Sequence, residues 1–421
     1  MKRRPEKLPF AKPKKRKSVK ETIDKTLLVT DGNNQLCPCS ASVGNAIQSI
    51  GPRHSRKKLR KEDRKWVLSS LHQHSSNCDK IVVVSYNILS SENVCKHSSL
   101  YENIPSKYLE WTRRKRILCE EIFRYKPDII CLQEVDQFDD LSDLLRAQAY
   151  QGLYKGRSGE AQDGCAVFWN ENVFSLLHDE DIQFEDFGLR HNVAQLCVLE
   201  MKDPNQQNDP SVNSIDMTSS QSKKIVVCNI HVLFNPNRGD IKLGQIRILL
   251  DRTHRLSQRW GSIPLIICGD LNCTPQSALY QYITTSELDT SLHSRNRIPG
   301  QIEHPKRFND FCRVWSDEEL RFATGNDSTT ILQHSLNLSS AYAGVPGSGR
   351  TREKFGEPLA TSYHSKFLGT VDYIWHSEQL FPLRVLETLP VNVLRRIGLP
   401  NKVQQQLNRY LLYFLIRYNN S

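Results

Sequence analysis

The 421-residue sequence predicts a layered α/β fold with two packed mixed sheets. Three observations carry that expectation. Apolar runs rich in β-branched residues recur at strand length along the chain. Amphipathic stretches at helical spacing lie among them. The two kinds do not alternate in strict β-α-β order, which argues for mixed sheets. Hydrophobic residues make up 38% of the chain, enough for one large core but not for a core along its full length.

The first twenty residues, MKRRPEKLPFAKPKKRKSVK, hold ten Lys/Arg against one Glu and supply most of the net charge of +11. Such a block is solvated, and it contacts nucleic acid or an import receptor or merely solubilises the chain. Residues 1–78 are rich in Lys, Ser, Asn and Pro and read as a mostly disordered leader. The segment has no apolar signal core, and no run of about eighteen apolar residues exists to span a bilayer. The expectation is a soluble intracellular protein with no membrane partner. Of twelve cysteines, Cys131, Cys197, Cys228 and Cys268 sit inside apolar runs. Reduced, structural thiols are expected; Cys37 and Cys39 have no second pair at zinc-finger spacing.

Order begins at KIVVVSYNIL (80–89), a buried strand. WTRRKRILCEEIFRY (111–125) is a helix whose stripe is Trp111, Ile117, Leu118, Ile122 and Phe123, stopped by Pro127. DIICLQEV (128–135), CAVFWN (165–170), VAQLCVLEM (193–201) and KIVVCNIHVLF (224–234) are further strands. The polar stretch after residue 201 is an enlarged hairpin loop. A helix over 239–258 precedes the strand LIICGDLN (265–272), and residues 289 to 335 look loose. His178, Asp179, Glu185 and the acids of 317–319 read as solvated surface.

The strand ends carry the chemistry. Asn87 closes the first strand, Glu134 the second, His231 another, and Asp270 with Asn272 a fourth; Asp372 sits in GTVDYIW (369–375). Side by side, such strands bring carboxylates, amides and an imidazole to one edge. Oxygen ligands of that kind suit a hard divalent cation such as Mg²⁺, and the remaining groups can position a water and a phosphoryl group. Singly, Asn87 and His231 read as structural residues. Glu134 is the strongest, because a lone Glu after DIICLQ is costly unless paired or metal-bound.

The ordered set SYNIL, KPDIICLQEV, DGCAVFW, NVAQL, NIHVLFNP, ICGDLN and FLGTVDYIW resembles the endonuclease–exonuclease–phosphatase superfamily with its DNase I-like fold. More narrowly it is similar to the carbon catabolite repressor, nocturnin and Angel branch, mostly poly(A)-specific 3′ exoribonucleases. The resemblance covers residues 80 to 400 and implies a four-layer α-β-β-α sandwich with its catalytic domain over 79–402. It implies that Glu134 is the principal Mg²⁺ ligand, helped by Asn87, with Mn²⁺ an alternative ion. Asp270 would orient or deprotonate the attacking water, Asn272 would contact phosphate or metal, and His231 would stabilise the phosphorane; Asp372 belongs to the same catalytic set. Asn192, Pro236 and Phe367 match positions that touch a terminal adenosine. The implied partner is poly(A) at an mRNA 3′ end, with nuclear and cytoplasmic residence. Docking onto deadenylase-complex components lacks the leucine-rich repeats used by some relatives.

Two alternatives stand beside that reading: a relative cleaving another nucleotide phosphoester, and a non-catalytic RNA-binding form. They arise partly because the superfamily's terminal Ser-Asp-His is missing. No Asp-His pair occurs anywhere in the sequence. Residues 403–421 read as an atypical tail replacing the usual last strand. A valine codon at Lys402-Val403 begins with the GT of an intron, so a shortened splice form with impaired turnover is expected. His364 and His376 are the histidines considered for the missing role.

Overall fold

The computed structural model describes residues 64–69, 80–203, 222–302 and 315–397, and the backbone of 412–418. In chain order the first half comprises β1 (Trp66–Leu68), β2 (Lys80–Asn87), α1 (Ser91–Lys96), α2 (Trp111–Tyr125), β3 (Ile129–Val135), α3 (Phe138–Arg146), β4 (Tyr150–Gly156), β5 (Gly164–Asn170), β6 (Phe174–Gln183) and β7 (Val193–Met201). Then follow β8 (Lys224–His231), α4 (Gly239–Arg259), β9 (Leu265–Asp270), α5 (Ala278–Thr285), β10 (Glu287–Asp289), α6 (Asp317–Thr324), β11 (Ile331–Gln333) and β12 (Leu338–Ser340). A hairpin of β13 (Ser362–His364) and β14 (Phe367–Gly369) precedes β15 (Asp372–Ser377), β16 (Leu380–Leu386), α7 (Val391–Ile397) and β17 (Leu412–Tyr418).

Two sheets form the centre, one in the order β1-β16-β17-β2-β3-β5-β4 and the other β12-β15-β9-β8-β7-β6. Both are mixed: β2–β3 and β8–β9 pair in parallel, and the remaining pairs of the two sheets are antiparallel. Alternate residues of each strand face opposite ways, which makes three cores. Ile81, Val83, Cys131 and Val167 meet Val227, Ile266, Cys268 and Ile374 between the sheets. Val84, Ile130 and Leu132 face Leu118, Ile122 and Leu141 of α2 and α3. Ile230 and Ile267 face Ile246, Leu249 and Leu279 of α4 and α5. The result is the expected α-β-β-α sandwich. The long apolar runs exist because central strands are covered on both faces.

α2 keeps the expected stripe and ends at Lys126, whose left-handed φ of 46° breaks the helix before Pro127. The helix also buries a cation that the stripe did not reveal. Arg114 donates to the carbonyls of Leu109 at 2.8 Å and Ile88 at 2.9 Å, and to that of Leu89. It thereby ties down the chain leaving β2, which bears on the site.

Several expectations are corrected. Residues 66–68, assigned to the disordered leader, form β1 and pair with Arg384–Leu386. The region 289–335 is less loose than its polarity suggests: β10 pairs with β11, and the acids at 317–319 open α6, where Ser316 and Glu319 cap each other reciprocally. β4, β6, β16 and the β13–β14 hairpin were not anticipated. The backbone of β17 pairs antiparallel with both β16 and β2, so the atypical tail occupies a place inside the sheet. The basic leader, the Cys37/Cys39 pair and the Lys402–Val403 junction lie outside the described residues. Cys131, Cys197, Cys228 and Cys268 are buried and free.

Away from the sheets' edge, one buried acid makes stability depend on pH. Glu357 accepts from the Tyr280 hydroxyl at 2.9 Å, and burial pushes its carboxyl up from 4.5 to about 7. A raised folded-state pKa stabilises the protein fully below the unfolded value and loses that contribution as pH rises through the folded one, here from 4.5 to above 7. The loss amounts to about 3 kcal/mol. Glu357→Gln is expected to flatten this slope in urea titrations at pH 5 and pH 8; a parallel wild-type and variant profile would rule the assignment out.

Candidate active site

The first sheet brings two groups to its edge. β2 and β3 run in parallel with Asn87 opposite Gln133, so the next residue, Glu134, stands just beyond Asn87. At Glu134 the pairing of β3 with β5 slips, and its φ is 56°. A non-glycine residue in the left-handed region costs about 1–2 kcal/mol. The bulge turns the carboxylate out of the strand's alternation. Asn87 Nδ2 donates to Glu134 Oε1 at 2.8 Å; the Ser90 N–H and Asn93 Nδ2 donate to Oε2 at 3.2 Å and 2.7 Å.

The second sheet supplies the rest in register. His231 on β8 stands opposite Asp270 on β9, and Asp270 stands opposite Asp372 on β15. Gly269 is required here: a Cβ would lie 2.1 Å from the Ile230 carbonyl oxygen. His231 Nε2 lies 3.2 Å from Asp270 Oδ2 and 3.3 Å from Asn272 Nδ2. The Asn272 N–H donates to Asp270 Oδ1 at 3.1 Å, a closure that holds Asn272 at a left-handed φ of 46°. Asn87 bridges the two sheets, its Nδ2 also donating to Asp270 Oδ2 at 3.0 Å.

Glu134, His231 and Asp270 each offer a ligand atom, all within 4.8 Å of one another. Two buried carboxylates this close repel unless a cation or proton lies between them, so the donor set fits a divalent metal ion. Asn87 directs its amide nitrogen at both acids, and its oxygen accepts from the Leu89 N–H at 3.0 Å. In this arrangement it holds the acids together. Asp372 accepts from the Thr361 hydroxyl at 2.7 Å; burial pushes its carboxyl up to about 8, with the charge of Glu134 adding to the rise.

Two adjoining clefts open at this edge. One, of about 210 Å³, is lined by Glu134, His231, Asn192, Arg157, Lys96 and His97. The other, of about 280 Å³, is lined by Pro236, Phe367, Asn272, Phe234, His364 and again His97. All three residues expected at a terminal nucleoside thus line the clefts. Asn192 is fixed from both sides: Nδ2 donates to the His231 carbonyl at 2.9 Å, and Oδ1 accepts from Gln245 at 3.2 Å. His376 is displaced from any role here. It pairs across from Ile266, down β15 from Asp372, with Nδ1 3.0 Å from the Ser377 carbonyl.

Sequence reasoning missed Asn93, Thr361, His97, Phe234, Gln245 and Lys242. The last two offered a signal, being polar groups on a buried face of α4. Lys242 is fully buried, and its ammonium donates at 2.7 Å both to the Asn272 carbonyl and to Gln301 Oε1.

The endonuclease/exonuclease/phosphatase family model matches residues 84–395. Carbon catabolite repressor protein 4 homolog 5 of Arabidopsis thaliana is 52% identical over 373 residues, which cover 82% of this chain and 81% of that protein. Protein angel homolog 2 of Danio rerio is 32% identical over 328 residues, covering 71% of this chain and 54% of that protein. Among solved structures, ANGEL2, a 2′,3′-cyclic phosphatase in complex with adenosine-2′,3′-vanadate, superposes with a TM-score of 0.67 at 29% identity, over 85% of this chain and 99% of that one. Matched along three quarters of its length and in the architecture that carries the site, the chain belongs to the endonuclease/exonuclease/phosphatase family, in its carbon catabolite repressor, nocturnin and Angel branch.

Proposed function

We propose that the chain is a Mg²⁺-dependent 3′→5′ exoribonuclease acting on poly(A), with turnover reduced in this form. Family membership makes it a phosphoesterase. The observation that carries the finer reading is the meeting of Glu134, Asp270 and His231 at the head of a cleft that continues past Phe367 and Pro236. Glu134 and Asp270 would hold the Mg²⁺, with Mn²⁺ a second ion that tolerates the imidazole. When bound, the ion supplies Lewis-acid polarisation of the phosphoryl oxygens. Asp270 accepts a hydrogen bond from the attacking water. His231, held between Asp270 and Asn272, faces the negative charge that grows on phosphorus. Phe367 offers a face to the terminal base, worth about 1–3 kcal/mol and tolerant of sequence.

A second reading has its own support, since ANGEL2 is a 2′,3′-cyclic phosphatase. Both reactions begin from a terminal nucleoside at the same cleft. The deciding assay uses 5′-labelled oligo(A) ending either in a 3′-hydroxyl or in a 2′,3′-cyclic phosphate, at high enzyme concentration with and without Mg²⁺. Stepwise shortening of the first substrate, faster than for oligo(U), is the expected result. Opening of the cyclic phosphate without shortening would transfer the assignment to the second reading. No change in either substrate would leave an RNA-binding form.

A further inference from the structure

A third cleft, of about 460 Å³, adjoins the second and shares Gln301, His364, Lys366 and Phe367 with it. Its other walls include Tyr363 and Arg395. Thr274, Gly300 and Gln301 line one part of the cleft, and the β13–β14 hairpin and α7 the rest; the latter two have their own small core, Leu389, Val393 and Leu394 with Ala360, against which Tyr363 and Leu368 pack. Lys366 and Arg395 are exposed, and among the described residues neither forms an ion pair. Phe367 lines both clefts, so whatever leaves the second cleft past this ring enters the third.

Aromatic side chains beside unpaired cations in one cleft are what a single nucleic-acid strand requires: rings for the bases and charges for the phosphates. A mononucleotide would have no use for Arg395, which lies beyond the cleft that holds its base. We propose that the third cleft binds the nucleotides immediately 5′ of the terminal one, with Lys366 and Arg395 on their phosphates and Tyr363 and Phe367 beside their bases. The site therefore measures substrate length, and it selects an RNA strand over a free nucleotide. This inference rests on the reading of the chain as an RNA 3′-end phosphoesterase.

The test measures anisotropy of 5′-labelled oligo(A) of two to six nucleotides on the full chain carrying Glu134→Gln to block turnover, in Mg²⁺. Affinity is expected to rise about tenfold between two and four nucleotides and then level off. Lys366→Gln with Arg395→Gln should erase that rise and lower the salt slope of the four-nucleotide complex by about one to two. The melting temperature of the double variant should match that of the Glu134→Gln chain, which shows that the exposed substitutions leave the fold intact. Affinity independent of length, or a double variant that retains the rise, overturns the inference alone. Failure of every oligo(A) to bind overturns it together with the RNA reading.

Discussion

Glu134→Ala is expected to lower cation-dependent hydrolysis on the order of 10³-fold or more while the protein stays folded. Glu134 is buried beside Asp270, with Asn87 hydrogen-bonded to both acids, and Asp372 feels its charge. Removing it takes away a ligand and also a source of repulsion among three acids. The melting temperature without metal should therefore hold or rise, and Mg²⁺ should raise it less than in the wild type. Calorimetry checks the assignment directly. Unchanged Mg²⁺ affinity in the variant would sink it, as would loss of activity that merely follows loss of fold.

Replacing the residues after Lys402 with an ending that contains Ser-Asp-His is expected to raise turnover about 10²–10³-fold. The affinity for oligo(A) should scarcely change, because the residues expected at the terminal nucleoside lie in other segments. The resemblance implies a second imidazole at the scissile phosphate, and the sequence has no Asp-His pair. Besides His231, the imidazoles lining the first two clefts are His97 and His364. Burial, with the charges of Lys366 and His97 adding to it, pushes His364 down to about 4, so it is neutral at physiological pH and a poor proton donor. Comparison of kcat and KM for the two endings decides the matter. Full turnover by the chain as it stands would defeat the expectation and turn attention to His97.

The buried parts of this molecule were the legible parts. Strands covered on both faces, such as β3 and β9, must be almost wholly apolar, so a terminal acid or amide stands out against them. β6 reads FSLLHDEDIQ and over its second half alternates half-buried or buried with exposed positions at a sheet edge, and its His178 and Asp179 read as solvated surface. β1 escaped notice because a three-residue edge strand draws its stability from pairing rather than pattern. The candidate site divided in the same way. Glu134 and Asp270 announced themselves by sitting where apolar runs end, Asp372 by lying inside one, and His231 only in company with them. Thr361 and Asn93 did not, since a hydroxyl or amide in a polar stretch is unremarkable until folding sets it 2.7 Å from a carboxylate. The positive φ of Glu134 has no sequence signature, because nothing marks a glutamate for the left-handed region.

The place of β17 has a consequence for how the chain is made. β2 emerges from the ribosome early, and one of its two flanking partners is synthesised only after nearly the whole domain. Until residues 412–418 arrive, β2 and β16 each present an unpaired row of amides and carbonyls. Closure of the first sheet is therefore a late event, joining segments far apart in sequence, and such contacts form slowly. A nascent chain halted before that point would hold the second sheet and its helices, with an open seam in the first. Chaperone demand should peak there, and altering the tail changes when folding finishes as well as what the edge of the sheets can do.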